Sequence, residues 1–137
     1  MFVDQISGQN EIDLLRQRWD QLYESDGEAH FFLSWAFIST YMLRFEGAGF
    51  VLAARAGPEG SPYVAFLPLR LRTRLDKRTG RVHNEINMAG NYAADYTGIL
   101  CAPEHVSRAV AALPKHLKTM DWAKLHLENL RMSERRL

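Results

Sequence analysis

Tyr63-Val-Ala-Phe-Leu-Pro-Leu-Arg-Leu-Arg-Thr-Arg-Leu75 decides the fold. Leu67, Leu69, Leu71 and Leu75 fall on one side of an extended chain. Arg70, Arg72 and Arg74 fall on the other, which is the two-residue period of a strand with one apolar and one polar face. Upstream, Gly57-Pro-Glu-Gly-Ser-Pro62 is a run of chain breakers, and residues 50–56 before it read as a strand. Downstream, residues 76–80 turn the chain and residues 81–88 return as another strand. Strands joined by short turns predict an antiparallel meander.

Working outward, residues 1–6 read as a short strand broken by Ser7-Gly8. Ile12, Leu15, Trp19, Leu22 and Tyr23 recur at helical spacing, predicting one helix over residues 9–24. Ser34 is an N-cap for a second helix carrying Ile38, Tyr41, Met42 and Phe45, which Gly47 and Gly49 end. Beyond the meander, residues 89–96 read as an irregular polar and aromatic loop and residues 97–101 as a short strand. Pro103 opens a third helix lined by Val106, Ala109, Val110, Leu113 and Leu117. Pro114 is expected to kink or split it, at a cost of about 3 kcal/mol. Residues 122–129 read as a last strand, and residues 131–137 as a charged tail that frays. The fold class is α/β: one lobe over residues 1–130, a mixed, mainly antiparallel sheet flanked by helices.

Composition bounds function more than it assigns it. The chain has 137 residues, 47% hydrophobic and 24% charged, ordinary values for one globular unit. The net charge is +1, so strong whole-chain attraction to nucleic acid or anionic membrane is not indicated. Bases nevertheless concentrate in the second half, thirteen of seventeen lying beyond residue 61. The single cysteine, Cys101, excludes an intrachain disulfide, and a reducing cytoplasm fits best. No apolar stretch is long enough to span a bilayer. The histidines lack metal-ligand spacing and no serine sits in Gly-x-Ser-x-Gly, so neither a zinc site nor a nucleophile elbow is expected. The basic hairpin lacks interleaved aromatics, which argues against nucleic-acid binding.

Four segments carry a family resemblance: Trp19-Asp-Gln-Leu22, Phe31-Phe-Leu-Ser34-Trp35, Val64-Ala-Phe-Leu-Pro68-Leu-Arg-Leu-Arg72 and Asp95-Tyr96-Thr-Gly-Ile-Leu100. In this order the chain resembles the GNAT-type acyltransferases, and more closely the first lobe of the two-lobed CelD/FemAB-like (BioF2-like) branch. The resemblance implies a second lobe that binds an acyl-CoA or aminoacyl donor. It makes this chain the acceptor-side lobe, inactive alone, working with that lobe or a homodimer partner. The acceptor would be an amine, sugar or peptide of cell-envelope or polysaccharide type.

GNAT enzymes cradle the coenzyme A pyrophosphate in an Arg/Gln-x-x-Gly-x-Gly/Ala loop at a helix start. Arg44-Phe-Glu-Gly47-Ala-Gly49 matches the letters, but it follows a helix and reads as a helix stop. Before the third helix the chain instead carries Asn91-Tyr92-Ala-Ala-Asp95-Tyr96, including an acid, so no cofactor is expected on this lobe alone. Asn91, Tyr92 and Tyr96 are the candidate acceptor contacts and Asp95 the candidate proton acceptor or orienting group. Arg70 and Arg72 are candidate anion contacts. Equally, Asp95 could cap a turn and the arginines could face solvent. The alternative functions are a non-catalytic GNAT-fold association or dimerisation module, or a self-sufficient enzyme with an atypical donor site on the arginine-rich hairpin.

Overall fold

A computed structural model describes residues 1–136 of the chain; Leu137 lies outside the described residues. The elements are β1 (Phe2–Ser7), α1 (Gln9–Asp13), α2 (Arg16–Ser25), α3 (Trp35–Arg44), β2 (Gly49–Arg55), β3 (Tyr63–Asp76), β4 (Arg81–Met88), β5 (Leu100–Cys101), α4 (Val106–Leu117) and β6 (Lys124–His126). The strands form one sheet in the order β1-β2-β3-β4-β6, with β5 also paired to β3. Among the described residues, the strand pairings are antiparallel except β4–β6, and an isolated parallel bridge joins Thr97 to Leu130.

The alternation in β3 builds two cores. Val64 and Phe66 face α1, α2 and α3, where Ile12, Trp19, Leu22, Ile38 and Met42 are buried. Trp19 stacks on Phe66 with centroids 4.7 Å apart, and its indole N–H donates to the Leu33 carbonyl at 2.8 Å. Leu67 and Leu69 face α4, against Val106, Ala109, Leu113 and Leu117.

Pro68 marks the point where the sheet divides. One edge of β3 meets β5 at Ala65 and Phe66, then β4 from Leu69 onward. The Pro68 carbonyl accepts from Ala89 N–H, so the missing N–H of Pro68 faces the same edge, in the gap between β5 and β4. A proline is tolerated inside this long strand because no ladder partner waits there.

Several expectations need correction. The single helix over residues 9–24 is two helices, because Leu15 N–H bonds the Ile12 carbonyl in a tight turn. That turn resets the phase so that Ile12, Leu15 and Trp19 are all buried while Leu14 is exposed. Pro114 does not split α4: it lies on the exposed face near the helix end, where water can serve the carbonyl it leaves unpaired. The strands expected over residues 97–101 and 122–129 shrink to Leu100–Cys101 and Lys124–His126. Leu75 is 60% exposed, because β3 and β4 outrun their neighbours.

The charged tail does not fray over its described residues. Arg136 returns to a fully buried Asp26 and bonds both carboxylate oxygens, at 2.9 and 2.6 Å. It also donates to the Ile99 carbonyl at 3.0 Å. Asp26 in turn accepts from Cys101 N–H of β5 and from Glu28 N–H, each at 2.9 Å. The carboxylate thus joins the end of α2, β5 and the C-terminal segment.

Asp26→Ala would leave the buried Arg136 guanidinium with only the more distant Glu28 carboxylate, 3.4 Å from its Nε. A loss of about 3–5 kcal/mol is expected, measured by urea denaturation.

A second prediction concerns acid stability. Arg55 bonds the Asp4 carboxylate at 2.8 Å, and the Tyr63 hydroxyl donates to it at 3.1 Å. The Arg55 bond, aided by Tyr63, holds the Asp4 carboxyl below its ordinary value of 3.8 against the cost of burial. A depressed folded pKa gives stability that is present above the unfolded value and is lost as pH falls through the folded one. Asp4→Asn should therefore lower stability at neutral pH, and its deficit should narrow below about pH 4 in urea titrations.

Candidate functional site

β3 changes character at Arg70. Before it, the residues on the α1–α3 side lie under helices; after it, they are Arg70, Arg72 and Arg74. Register sets Asn87, Glu85 and His83 of β4 opposite them, and Lys124 and His126 of β6 beside Glu85 and Asn87. The outcome is one polar face, continuous across the sheet.

Glu85 organises its outer part. His83 Nε2 lies 3.0 Å from Glu85 Oε1, Lys124 Nζ 3.7 Å from the same atom, and Arg74 Nε 3.5 Å from Oε2. The His83 bond holds the Glu85 carboxyl below its usual range despite burial, with Lys124 and Arg74 adding to the effect.

The inner part is less completely paired. The Arg70 guanidinium lies 3.7 Å from the Phe45 ring centroid, and its Nε is covered with no hydrogen-bond partner. Asn87 Oδ1 accepts from Asn91 Nδ2 at 3.2 Å, while Asn87 Nδ2 is covered and unpaired. The buried Tyr41 hydroxyl is unpaired as well, its ring 4.8 Å from Phe45.

These residues border a groove of about 460 Å³ between α3 and residues 90–93. Phe31, Phe37, Tyr41 and Phe45 form one wall, and Asn91 and Tyr92 the other, with Thr40 and Arg44 among the lining. Its size and its aromatic lining with a few polar groups suit a small ligand. Local backbone chemistry shapes the second wall. Gly90 has φ 93° and Tyr92 φ 70°, and the Ala93 and Ala94 N–H groups both donate to the Gly90 carbonyl at 2.8 Å. This tight turn buries Asn91 and leaves Tyr92 80% exposed at the mouth.

The candidate residues from the sequence therefore separate. Asn91, Tyr92 and Arg70 gather at the groove and its inner border. Arg72 lies farther out, opposite Glu85. Tyr96 packs elsewhere, 6.0 Å from the His30 ring and under the Arg131 guanidinium at 4.8 Å. Asp95 is exposed and outside the groove lining, and among the described residues it makes no hydrogen bond or ion pair. Phe37, Asn87 and Glu85 were not singled out from sequence. Residues 31–45 hold five Phe or Tyr, an aromatic density that could have pointed to the groove.

The segment before α4 has little to offer a diphosphate. Cys101 N–H is taken by Asp26, Ala102 N–H by the Val64 carbonyl and His105 N–H by the Ala102 carbonyl. Pro103 has no N–H, and Glu104 adds a negative charge in the first turn. The other candidate loop closes in the same way. Ala48 and Gly49 N–H groups both return to the Phe45 carbonyl, and Gly47 has φ 79° at the end of α3. In both loops several of the amides that could face an anion are therefore already engaged. Cys101 is buried, and desolvation pushes its thiol up to about 12, which leaves no thiolate nucleophile at neutral pH. No group of metal-ligating side chains forms among the described residues, and no helix among them is long and apolar enough to cross a membrane.

The sequence matches no family model and no curated protein. Among solved structures, the chain is similar to a ribosomal-protein-alanine N-acetyltransferase from Brucella melitensis biovar Abortus 2308. The identity is 17%, the TM-score 0.50, and the match covers 97% of this chain and 81% of that one. The fold is GNAT-like. A tetramutant of the BH1408 protein from Bacillus halodurans also aligns, at 9% identity and TM-score 0.47, over 98% of this chain and 84% of that one. The expected mixed, mainly antiparallel α/β sheet is thus the one observed, and the likeness is one of fold.

Gly90→Ala tests the groove wall. A Cβ there would lie 3.1 Å from Ala94 Cβ and 3.2 Å from Phe37 Cε1, on a backbone that disfavours side chains. A loss of about 1–3 kcal/mol and a melting point several degrees lower are expected by calorimetry.

Proposed function

We propose that this chain is the acceptor-side lobe of an N-acyltransferase, related to the first lobe of CelD/FemAB-like enzymes. Its ligand is an amine or amino sugar carrying an apolar or aromatic group. The observation that supports this most is the ligand-sized groove on α3, beside a segment before α4 whose Cys101, Ala102 and His105 amides are already engaged. The groove can hold an acceptor, whereas the engaged amides and Glu104 make the approach to α4 a poor cradle for a donor's diphosphate. The GNAT-like fold agrees with acyl transfer as the reaction class, since the neighbour of known name is an N-acetyltransferase.

In this proposal the apolar part of the acceptor lies along Phe37, Tyr41 and Phe45. Asn91 and Tyr92, on the opposite wall, orient its amine. Asp95, exposed on the same loop but outside the groove lining, accepts through an intervening water the proton that the amine loses on acylation. Arg70, stacked on Phe45, places positive charge at the edge of the groove, and Arg72 extends it outward along β3. The lobe contributes positioning and proton removal, and the acyl donor is assigned to a second lobe or partner chain.

The test is an amide NMR titration of the 137-residue chain with phenethylamine, and separately with acetyl-coenzyme A. Saturable shifts in residues 37–45 and 90–93 with the amine, and no saturable response to the thioester up to about 1 mM, are expected. Micromolar thioester binding by the chain alone would assign it a donor site and overturn the lobe assignment. Amine shifts that avoid the groove would overturn the acceptor site. Light scattering showing a stable dimer that closes the groove would favour a non-catalytic module instead.

A further inference from the structure

The β3–β4 hairpin is built differently from the rest of the sheet. β2 leaves β3 at Arg70, and β6 leaves β4 at Glu85. From Thr73 to His83 the hairpin continues with neither outer edge paired among the described residues. At about 3.3 Å per residue its strands project roughly 13 Å beyond the sheet, with the turn beyond them.

The two faces of this projection differ in kind. Leu75 and Val82 are opposite each other in register and are 60% and 65% exposed, forming a single aliphatic knob. Arg72, Arg74 and Arg81 occupy the other face, and Lys77 and Arg78 the turn. Residues 72–82 hold five bases and one acid, although the whole chain is only +1. That acid, Asp76, spends its carboxylate on the turn: Oδ1 accepts from Arg78 N–H at 2.9 Å. Glu85 engages Arg74 at the base, and with Asp76 the only acid beside the remaining bases the tip stays net positive.

We propose that this hairpin docks on an anionic lipid surface. Leu75 and Val82 enter the boundary of the acyl chains, while Arg72, Lys77, Arg78 and Arg81 lie at the depth of the lipid phosphates. The charge identifies an anionic partner, and the aliphatic knob distinguishes a lipid surface from a soluble polyanion, which gives leucine and valine nothing to enter. The tip has no aromatic side chain for base stacking, which counts against single-stranded nucleic acid. The proposal is independent of the acceptor groove, which lies on α3 and residues 90–93.

Co-sedimentation of the full chain with phosphatidylcholine vesicles, with and without about 30% phosphatidylserine, tests it at about 0.1 M salt. Binding only to the anionic vesicles is expected, weakening sharply at about 0.5 M salt. Each basic side chain near such a surface strengthens binding roughly fivefold, so K77E/R78E should lower affinity by more than tenfold. L75Q/V82T should lower it several-fold with the same melting temperature, since both side chains are exposed. No sedimentation of the parent chain would overturn the proposal. So would vesicle binding indifferent to L75Q/V82T together with equally tight binding to soluble polyphosphate, which would assign the hairpin to a polyanion.

Discussion

The Asp26 carboxylate is the point on which three parts of the molecule depend. It stands at the end of α2 with no access to water, and an ionised group there is tolerable only if its lone pairs are filled. Arg136 fills them from the C-terminal segment, Cys101 N–H from β5 and Glu28 N–H from the adjoining turn. The arrangement draws the last described residues against the body of the domain. It also withdraws an amide from the approach to α4, the place where a GNAT-type cradle would need free donors. One buried charge therefore shapes both the packing and the chemistry that this region can support.

The second organising element is the length of β3. Its first half is sandwiched between helices and carries the aliphatic and aromatic side chains of both cores. Its second half has lost the helices on one side, so arginines replace Val64 and Phe66 on that face. The groove lies near this boundary, between aromatic side chains of α3 and the turn at residues 90–93. Burial there is sufficient to strengthen polar interactions, yet the mouth is open. The division of the sheet at Pro68 adds to this, because the strand that leaves β4 must cross the gap before it can rejoin β3 as β5.

Much of this was legible in the sequence where periodicity is strong. The leucine–arginine alternation of β3 gave its extent and its two faces, and Ser34 was identified as the cap of α3, where its hydroxyl accepts from Phe37 N–H. Short-range signals were less reliable where tertiary contacts decide. The break at Leu14 follows from burying Ile12 and Leu15 together, which no local propensity records. Arg136 looks like any charged residue near a chain end until its partner, 110 positions away, is known. Of the candidate acceptor contacts, Asn91 and Tyr92 line the groove, whereas Tyr96 packs near His30, because a loop containing two left-handed residues sends neighbours in sequence to different hollows. Asn87 and Glu85 escaped notice because their significance comes from cross-strand register, which only the assembled sheet supplies.

The packing of Met42 on Gly49 fixes one bank of the groove. A single carbon added at position 49 would fall 2.2 Å from the Met42 sulfur, so this side chain of α3 rests directly on bare backbone where β2 begins. The absence of a Cβ there lets the helix settle closely onto the sheet. Across the groove, Gly90 sits equally tightly against Phe37 and Ala94, while the phenol at 92 stands free at the mouth. Two missing methyl groups thus set the spacing of the jaws between which the hollow opens.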